Sequence, residues 1–248
     1  MYKHIEEITL NTWPALETVL LKGWIIRSAD GYTKRANSVS PLYGAEMSNQ
    51  ESVEELIRIC DNYYSGNGLN SVFKMTPYTV PANLDSILDA LGYRVIDESS
   101  VRLLHLDQLP EPSLIAARQD SITDEWLGTV AQLNNLTVKQ IDVTRKMLQR
   151  STLQQGFFTL YQEDSPVACG LGVIQNEYVG LYDIVTDMNH RRNGFGMQLL
   201  LNILQWGISA GAKYSFLQVV QQNDAAIGLY TKLGYRELYK YWYRMKPE

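Results

Sequence analysis

The sequence predicts a mixed α/β fold assembled from two related halves, and three observations carry that expectation. Over residues 156–186 apolar side chains follow the short runs typical of strands, whereas over 195–208 they recur at helical spacing. Leu91-Gly92-Tyr93 and Leu233-Gly234-Tyr235 each end a short amphipathic helix and precede a strand, with glycine suited to the left-handed position after the helix. The length of 248 residues, 45% of them hydrophobic, suits one large domain or two small ones that each bury a core.

The first half, residues 1–106, is expected to open with a helix over 14–21, because Pro14 is tolerated in a first turn. Strands at 24–29 and 32–39 follow, joined through Asp30-Gly31. A helix over 53–64 has Ser52 and Glu55 at capping-box spacing and an apolar stripe of Val53, Leu56, Ile57, Cys60 and Tyr64. A strand at 71–75, a helix at 84–91 and a strand at 101–106 complete this half. Two prolines, which suit neither a helix interior nor a central strand, make 107–114 a linker. The second half, residues 115–248, reads as helices at 122–133 and 138–148, then three strands at 156–161, 167–174 and 178–186. A helix over 195–208 carries Met197, Leu200, Leu201, Leu204 and Ile208 on one stripe, followed by a strand at 214–220, a helix at 225–233 and a terminal strand pair or one long strand at 236–245. Short turns early and a crossover late imply a sheet of mixed direction.

Composition excludes several classes of function. The 22 basic and 27 acidic residues leave a net charge of −5 with no ordered basic stripe, which argues against nucleic acid and against a polybasic membrane contact. Cys60 and Cys169 are too few for a disulfide framework or a thiolate zinc cluster, and His4, His105 and His190 have no metal-ligand spacing, so no metal is expected. Met1-Tyr2-Lys3-His4-Ile5-Glu6-Glu7 lacks the apolar core of a signal peptide, and no run reaches the roughly 18 apolar residues of a membrane span. A cytoplasmic protein is expected, with its oligomeric state open.

The sharpest motif is Arg191-Arg192-Asn193-Gly194-Phe195-Gly196, set between a strand and an apolar helix. Glycines let successive backbone N–H groups approach an oxygen-rich ligand, the new helix adds its unpaired N–H groups, and the arginines add charge-assisted bonds. Leu199 stands where a dinucleotide fingerprint needs its third glycine, and no Gly-Lys-Ser/Thr follows. From these residues alone an anion site and a merely tight strand-to-helix turn are both open.

Downstream come Asn223-Asp224-Ala225-Ala226, then Leu229-Tyr230, then Leu233-Gly234-Tyr235. Together with the loop, they resemble the GNAT superfamily of N-acetyltransferases, whose motif is Gln/Arg-x-x-Gly-x-Gly/Ala before a helix. Arg191, Gly194 and Gly196 match it. The resemblance covers residues 115–248 and implies a mixed-sheet acyl-CoA N-acyltransferase fold, in a tandem of a degenerate and a complete domain. The first half looks like the degenerate half of two-part members: 44–52 has no arginine and no second glycine, and Leu88 stands where Tyr230 stands in the second.

The resemblance also implies roles. Arg191 and the backbone of Arg192, Asn193, Gly194, Phe195, Gly196 and Met197 would hold the pyrophosphate of acetyl-CoA. Ile184, Val185 and Thr186 would flank its acyl arm, and Asn223 would bond to pantetheine or cap its own helix. Tyr230 would protonate the leaving sulfur, or pack its ring on the sheet. Asp183 and Glu177 are candidate bases, beside a water relay or an already neutral amine; strand periodicity puts Asp183 on the face opposite Tyr182 and Ile184. His190 would contact a phosphate or cap the loop, while Cys169 reads as core. If the two halves pack through their sheets, Trp24, Arg27, Tyr32 and Arg35 form an acceptor wall, beside Lys34, or remain ordinary surface residues. The implied activity is acetyl transfer from acetyl-CoA to a small-molecule primary amine by direct attack; the alternative is a CoA-binding regulatory or structural module without chemistry.

Overall fold

A computed structural model describes residues 2–44 and 50–247. In chain order it contains α1 (Lys3–Thr12), β1 (Glu17–Leu21), β2 (Trp24–Ser28), a 3-10 turn (Lys34–Ala36), β3 (Val39–Ser40), α2 (Gln50–Gly66), β4 (Val72–Met75), α3 (Leu84–Ala90) and β5 (Arg94–His105). These are followed by β6 (Ala117–Gln119), α4 (Asp124–Asn134), α5 (Val138–Arg150), β7 (Gln154–Gln162), β8 (Ser165–Gln175) and β9 (Tyr178–Thr186). A 3-10 turn (Met188–His190), α6 (Phe195–Ser209), β10 (Tyr214–Val220), α7 (Asp224–Leu233) and β11 (Arg236–Met245) complete the described chain.

The strands form one 11-stranded sheet in the order β1-β2-β3-β4-β11-β5-β10-β9-β8-β7-β6. The succession β3, α2, β4, α3, β5 recurs as β9, α6, β10, α7, β11, and in each copy the first two strands pair in parallel. The last strand of each succession crosses over. β5 lies between β11 and β10, while β11 lies between β4 and β5, so the two halves exchange strands at the middle of the sheet.

One face of the second half is covered by α6 and α7, whose Leu199, Leu200, Ile203, Leu204 and Tyr230 pack on Leu181, Leu217 and Val219. The other face carries Tyr182, Phe216, Tyr239, Tyr241 and Tyr243 beneath Ile5, Ile8, Trp13 and Ala36 and the buried sides of α4 and α5. The proline-bearing segment is strapped to α6: Gln198 accepts from the amides of Ser113 at 2.7 Å and Leu114 at 3.1 Å, and Asn202 accepts from Ala116 at 3.0 Å. No described helix is long and apolar enough to cross a membrane.

The structure corrects the sequence-based expectation in the first half. Residues 17–21 are an edge strand, not a helix, and the helix lies earlier, over Lys3–Thr12. The tight hairpin turn is Lys22-Gly23, with φ of 47° and 90°, as a two-residue connection between right-twisted strands requires. A Cβ on Gly23 would collide with the Tyr43 backbone. Residues 32–39 are mostly a loop, because Asn37 replaces ladder bonds with its own: its Oδ1 accepts from Ala29 at 2.8 Å and Gly31 at 2.9 Å, and its Nδ2 donates to the carbonyls of Tyr32 and Thr33. Ser52 lies inside α2 rather than at its cap.

A charged pair ties α1 to β4, and a hydrogen bond from Tyr239 ties it to the exchanged strand β11. Lys74 Nζ meets Glu6 Oε2 at 2.6 Å, with side chains 5% and 0% exposed, and the Tyr239 hydroxyl donates to Glu6 Oε1 at 2.6 Å. Burial lowers the Lys74 pKa, although Glu6 acts in the opposite direction. Removing one partner of such a pair strands the other's charge at a cost of about 3–5 kcal/mol, whereas replacing both costs far less. Glu6→Gln is therefore expected to lower the denaturant midpoint sharply and Glu6→Leu/Lys74→Met to restore much of it; equal losses in urea titrations would exclude a strongly coupled pair.

Candidate active site

The parallel pair β9/β10 is short. Tyr178, Val179 and Gly180 pair with Tyr214, Ser215 and Phe216, after which β9 runs on to Thr186 without β10 beside it. Ladder groups along this splayed edge are free for a ligand. At the same level β9 carries an extra residue: Leu171 opposes Tyr182 and Cys169 opposes Val185, so Asp183 and Ile184 together face Gly170. Asp183 has φ 49°. Such a bulge breaks the two-residue alternation of side chains. Ile184 packs on the α6 face, whereas the charge of Asp183 is felt by Tyr32, Arg35 and Cys169 on the Tyr182 side. The expectation that Asp183 opposes Tyr182 is thus overturned by the bulge.

Burial raises the Asp183 carboxyl to about 6, partly offset by Arg35, and Oδ2 is sealed from solvent without a hydrogen-bond partner. Glu177 is placed elsewhere. It sits in the turn before β9, where it pairs with Lys213 and its backbone carbonyl accepts from the amides of Lys213 and Tyr214. Nine positions at about 3.3 Å each separate it from Thr186. It cannot act as the base at the splayed end.

Past Thr186 the chain turns through Asp187, whose side chain accepts from the Asn189 amide at 2.8 Å and from His190 Nδ1 at 2.9 Å. His190 therefore caps the turn. Arg191 Nε donates to the Thr186 carbonyl at 3.3 Å. Arg192 and Gly194 both take left-handed backbone, φ 66° and 85°, and Gly194 is the N-cap of α6. Alternation of this kind turns successive N–H groups inward as an anion-binding concavity, and the first N–H groups of α6, at Phe195, Gly196 and Met197, have no acceptor within the helix. A Cβ on Gly196 would come within 3.2 Å of Leu229 and 3.3 Å of Thr186 Oγ1, so loop, strand end and α7 are in close contact.

Asn223 caps α7, its Oδ1 accepting from the Ala226 amide at 3.1 Å, which leaves its NH₂ group as a donor. Tyr230, one turn before the end of α7, packs edge-on against Tyr235; burial pushes its phenol up to about 12, opposed by Arg35, so it is protonated at neutral pH. The residues predicted as an acceptor wall separate. Trp24 is fully buried in the α2/α3 core and donates to the Val80 carbonyl at 2.9 Å. Arg27 is 3% exposed and spends its guanidinium on the backbone carbonyls of Arg35, Leu10 and Trp13. Both are structural. Tyr32 and Arg35 remain partly accessible and lie within the field of Asp183. Sequence reasoning did not single out Gln218, a lone amide within the strand Tyr-Ser-Phe-Leu-Gln-Val-Val, on the Phe216 side just past the splay, with both side-chain polar atoms sealed and unpartnered.

A parallel pair that splays at a bulge in one of its own strands, with a left-handed glycine loop opening the next helix, defines the GNAT class of N-acetyltransferase. The family model described as "Probable histone acetyltransferase Rv0428c C-terminal" matches residues 2–244, and the chain belongs to that family. It is similar to the "Uncharacterized N-acetyltransferase YobR" of Bacillus subtilis, with 27% identity covering 98% of each chain. Among solved structures it resembles a GCN5-related N-acetyltransferase from Kribbella flavida, with a TM-score of 0.72 and 12% identity over 100% of this chain and 96% of that one. A tandem GNAT protein from the clavulanic acid biosynthesis pathway shares the fold at a TM-score of 0.65 and 13% identity, over 98% and 88% of the two chains. The protein is a GNAT-type acetyltransferase.

Proposed function

We propose that the protein transfers an acetyl group from acetyl-CoA to the primary amine of a small molecule, with residues 115–248 forming the catalytic unit and residues 1–106 a degenerate partner that walls the acceptor side. The observation that carries this is the bulge at Asp183, which puts a carboxylate of raised pKa beside the splayed strand end, on the face covered by α1 and the 29–38 loop. That cover favours a small acceptor over a histone tail.

The residues fit the donor. The loop from Arg191 to Met197 offers inward N–H groups and two guanidinium groups to a pyrophosphate, the open edge of β9 at Ile184, Val185 and Thr186 accepts an extended amide-bearing arm, and Asn223 has a free donor. Bound there, acetyl-CoA supplies an activated acetyl thioester. Asp183 takes a proton from the acceptor's ammonium, freeing the nitrogen lone pair that forms the new C–N bond as the C–S bond breaks. Tyr230 gives its phenolic proton to the departing sulfur and regains one from the nitrogen through solvent. The sum is one amide, one thiol and one proton released.

The direct test is calorimetric titration with acetyl-CoA, followed by thiol release in the presence of primary amines. One saturable site per chain is expected. Tyr230→Phe should bind acetyl-CoA within about twofold of the parent while kcat falls about 10²-fold, the lower range for loss of a general acid. Unchanged kcat at saturation would remove Tyr230 from the mechanism, and absence of acetyl-CoA binding by folded protein would overturn the function.

A further inference from the structure

The loop that carries Arg27 also carries Arg35, and the two guanidinium groups have opposite fates. Arg27 is satisfied by three backbone carbonyls. Arg35 lies 5.8 Å from the Trp13 ring, which in turn stacks on Tyr182 at 5.1 Å, and among the described residues neither a carboxylate nor a carbonyl accepts from its side chain. It is partly buried, and its charge is felt by Tyr182, Asp183, Tyr230, Tyr241 and Tyr243. At neutral pH those tyrosines are uncharged, so Asp183 is the anion of this group, yet it forms no ion pair with Arg35 within 4.0 Å.

Three further polar groups on the same sheet face lack partners: Asp183 Oδ2, both amide atoms of Gln218 and the Tyr243 hydroxyl, each sealed from solvent. They come from β9, β10 and β11, and Arg35 comes from the loop after β2. A five-donor planar cation and a carboxylate that share one aromatic-lined sheet face without pairing are complementary to a molecule that carries a carboxylate and an ammonium. Buried polar groups left without partners are costly unless a ligand or water satisfies them.

We propose that the acceptor is an amino acid-like zwitterion, whose carboxylate is held by the Arg35 guanidinium while its amine lies at Asp183. Arg35 is then the specificity-determining residue, supplied by the first half to chemistry carried out in the second. This rests on the acetyl-transfer function above and names its substrate class. A lysine side chain in a basic peptide brings no carboxylate beside the amine and is not the acceptor that this pair of charges fits.

The test compares acceptors matched except for the carboxylate: phenylalanine with 2-phenylethylamine, lysine with 1,5-diaminopentane, 4-aminobutyrate with propylamine, and a lysine-rich histone-tail peptide as a separate arm. Acetyl-CoA affinity is measured first, so that failure of acetyl transfer as such is seen independently. In at least one pair the carboxylated member is expected to have a kcat/KM about 10²-fold or more above its partner, because a site built to pair a polar group rejects the analogue lacking it. In Arg35→Gln that ratio should fall to near one, mainly through KM for the carboxylated member, and Arg35→Lys should recover part of it. Circular dichroism and acetyl-CoA affinity report whether each variant is folded. Preference for the decarboxylated amines or for the peptide overturns the proposal, as does acetyl-CoA binding with turnover of no carboxylated acceptor. A ratio unchanged in folded Arg35→Gln also overturns it.

Discussion

Asp183→Asn is expected to reduce kcat/KM about 10³-fold while leaving acetyl-CoA affinity in place, within the range found for loss of a positioned general base. The pH profile makes this specific. With its carboxyl at about 6, Asp183 ionises as pH rises through that value, so the parent's kcat/KM should climb through a limb near pH 6. In the variant that limb disappears, leaving the amine's own ionisation at higher pH. The same substitution should stabilise the fold. A carboxyl whose folded pKa exceeds the ordinary 3.8 binds its proton more tightly when folded, so stability falls as pH rises from about 4 to about 6 and the full penalty applies above that. A gap of about two pH units corresponds to up to about 3 kcal/mol. Asp183→Asn should therefore melt close to the parent at pH 4 and higher than it at pH 7.5. A variant that keeps the acidic limb would move the base elsewhere, and one that melts lower at both pH values would contradict the sealed, unpartnered Oδ2 of Asp183.

Acetyl-CoA affinity should depend on left-handed backbone at one position. Gly194 has φ 85° and open space where a Cβ would stand, so Gly194→Ala strains the backbone without a collision. The strain is about 1–2 kcal/mol, and relieving it rotates the N–H groups that form the concavity. Affinity for acetyl-CoA is expected to fall about 30-fold, near 2 kcal/mol, with a weaker dependence on salt. Gly68 supplies the control: it too has positive φ, 67°, and open space, but lies after α2 in the first half. Gly68→Ala should carry a similar stability cost and leave acetyl-CoA affinity unchanged. Wild-type affinity in Gly194→Ala would mean that the loop does not hold the pyrophosphate.

Much of the second half is legible in the sequence, because its helices and strands are long enough for their periods to show. The change of period places strand 178–186 and the helix from 195, and the glycine loop between them follows. The first half is written in weaker signals. Glu17–Leu21 is an edge strand with both faces largely exposed, so it carries no alternation, and the loop at 29–38 is held by Asn37 through bonds that no local pattern announces. Asp183 stands out in the sequence as a candidate base, but periodicity puts it on the wrong face, since a two-residue period assumes that no residue is inserted into the strand. Glu177 attracts attention for lying near the same strand, yet adjacency in sequence does not say which end of the strand bears the chemistry. Arg27 and Arg35 look alike in the sequence; only the carbonyls around Arg27 distinguish a staple from a free cation.

The exchanged strands bear on how the protein is made. β11 follows every other described element in chain order, yet its neighbours are β4 and β5, and β5 must wait for β10 on its other side. On a ribosome the centre of the sheet therefore stays open until nearly all of the chain has emerged, leaving two partial sheets with unpaired inner edges. Contacts that span most of the chain are slow to form, which makes closure by β11 the step that ends the exposure. Nascent chains stalled before residue 236 should thus need a holding chaperone, and the aromatic sheet face, which takes Tyr239, Tyr241 and Tyr243 from β11, is complete only once that closure has occurred.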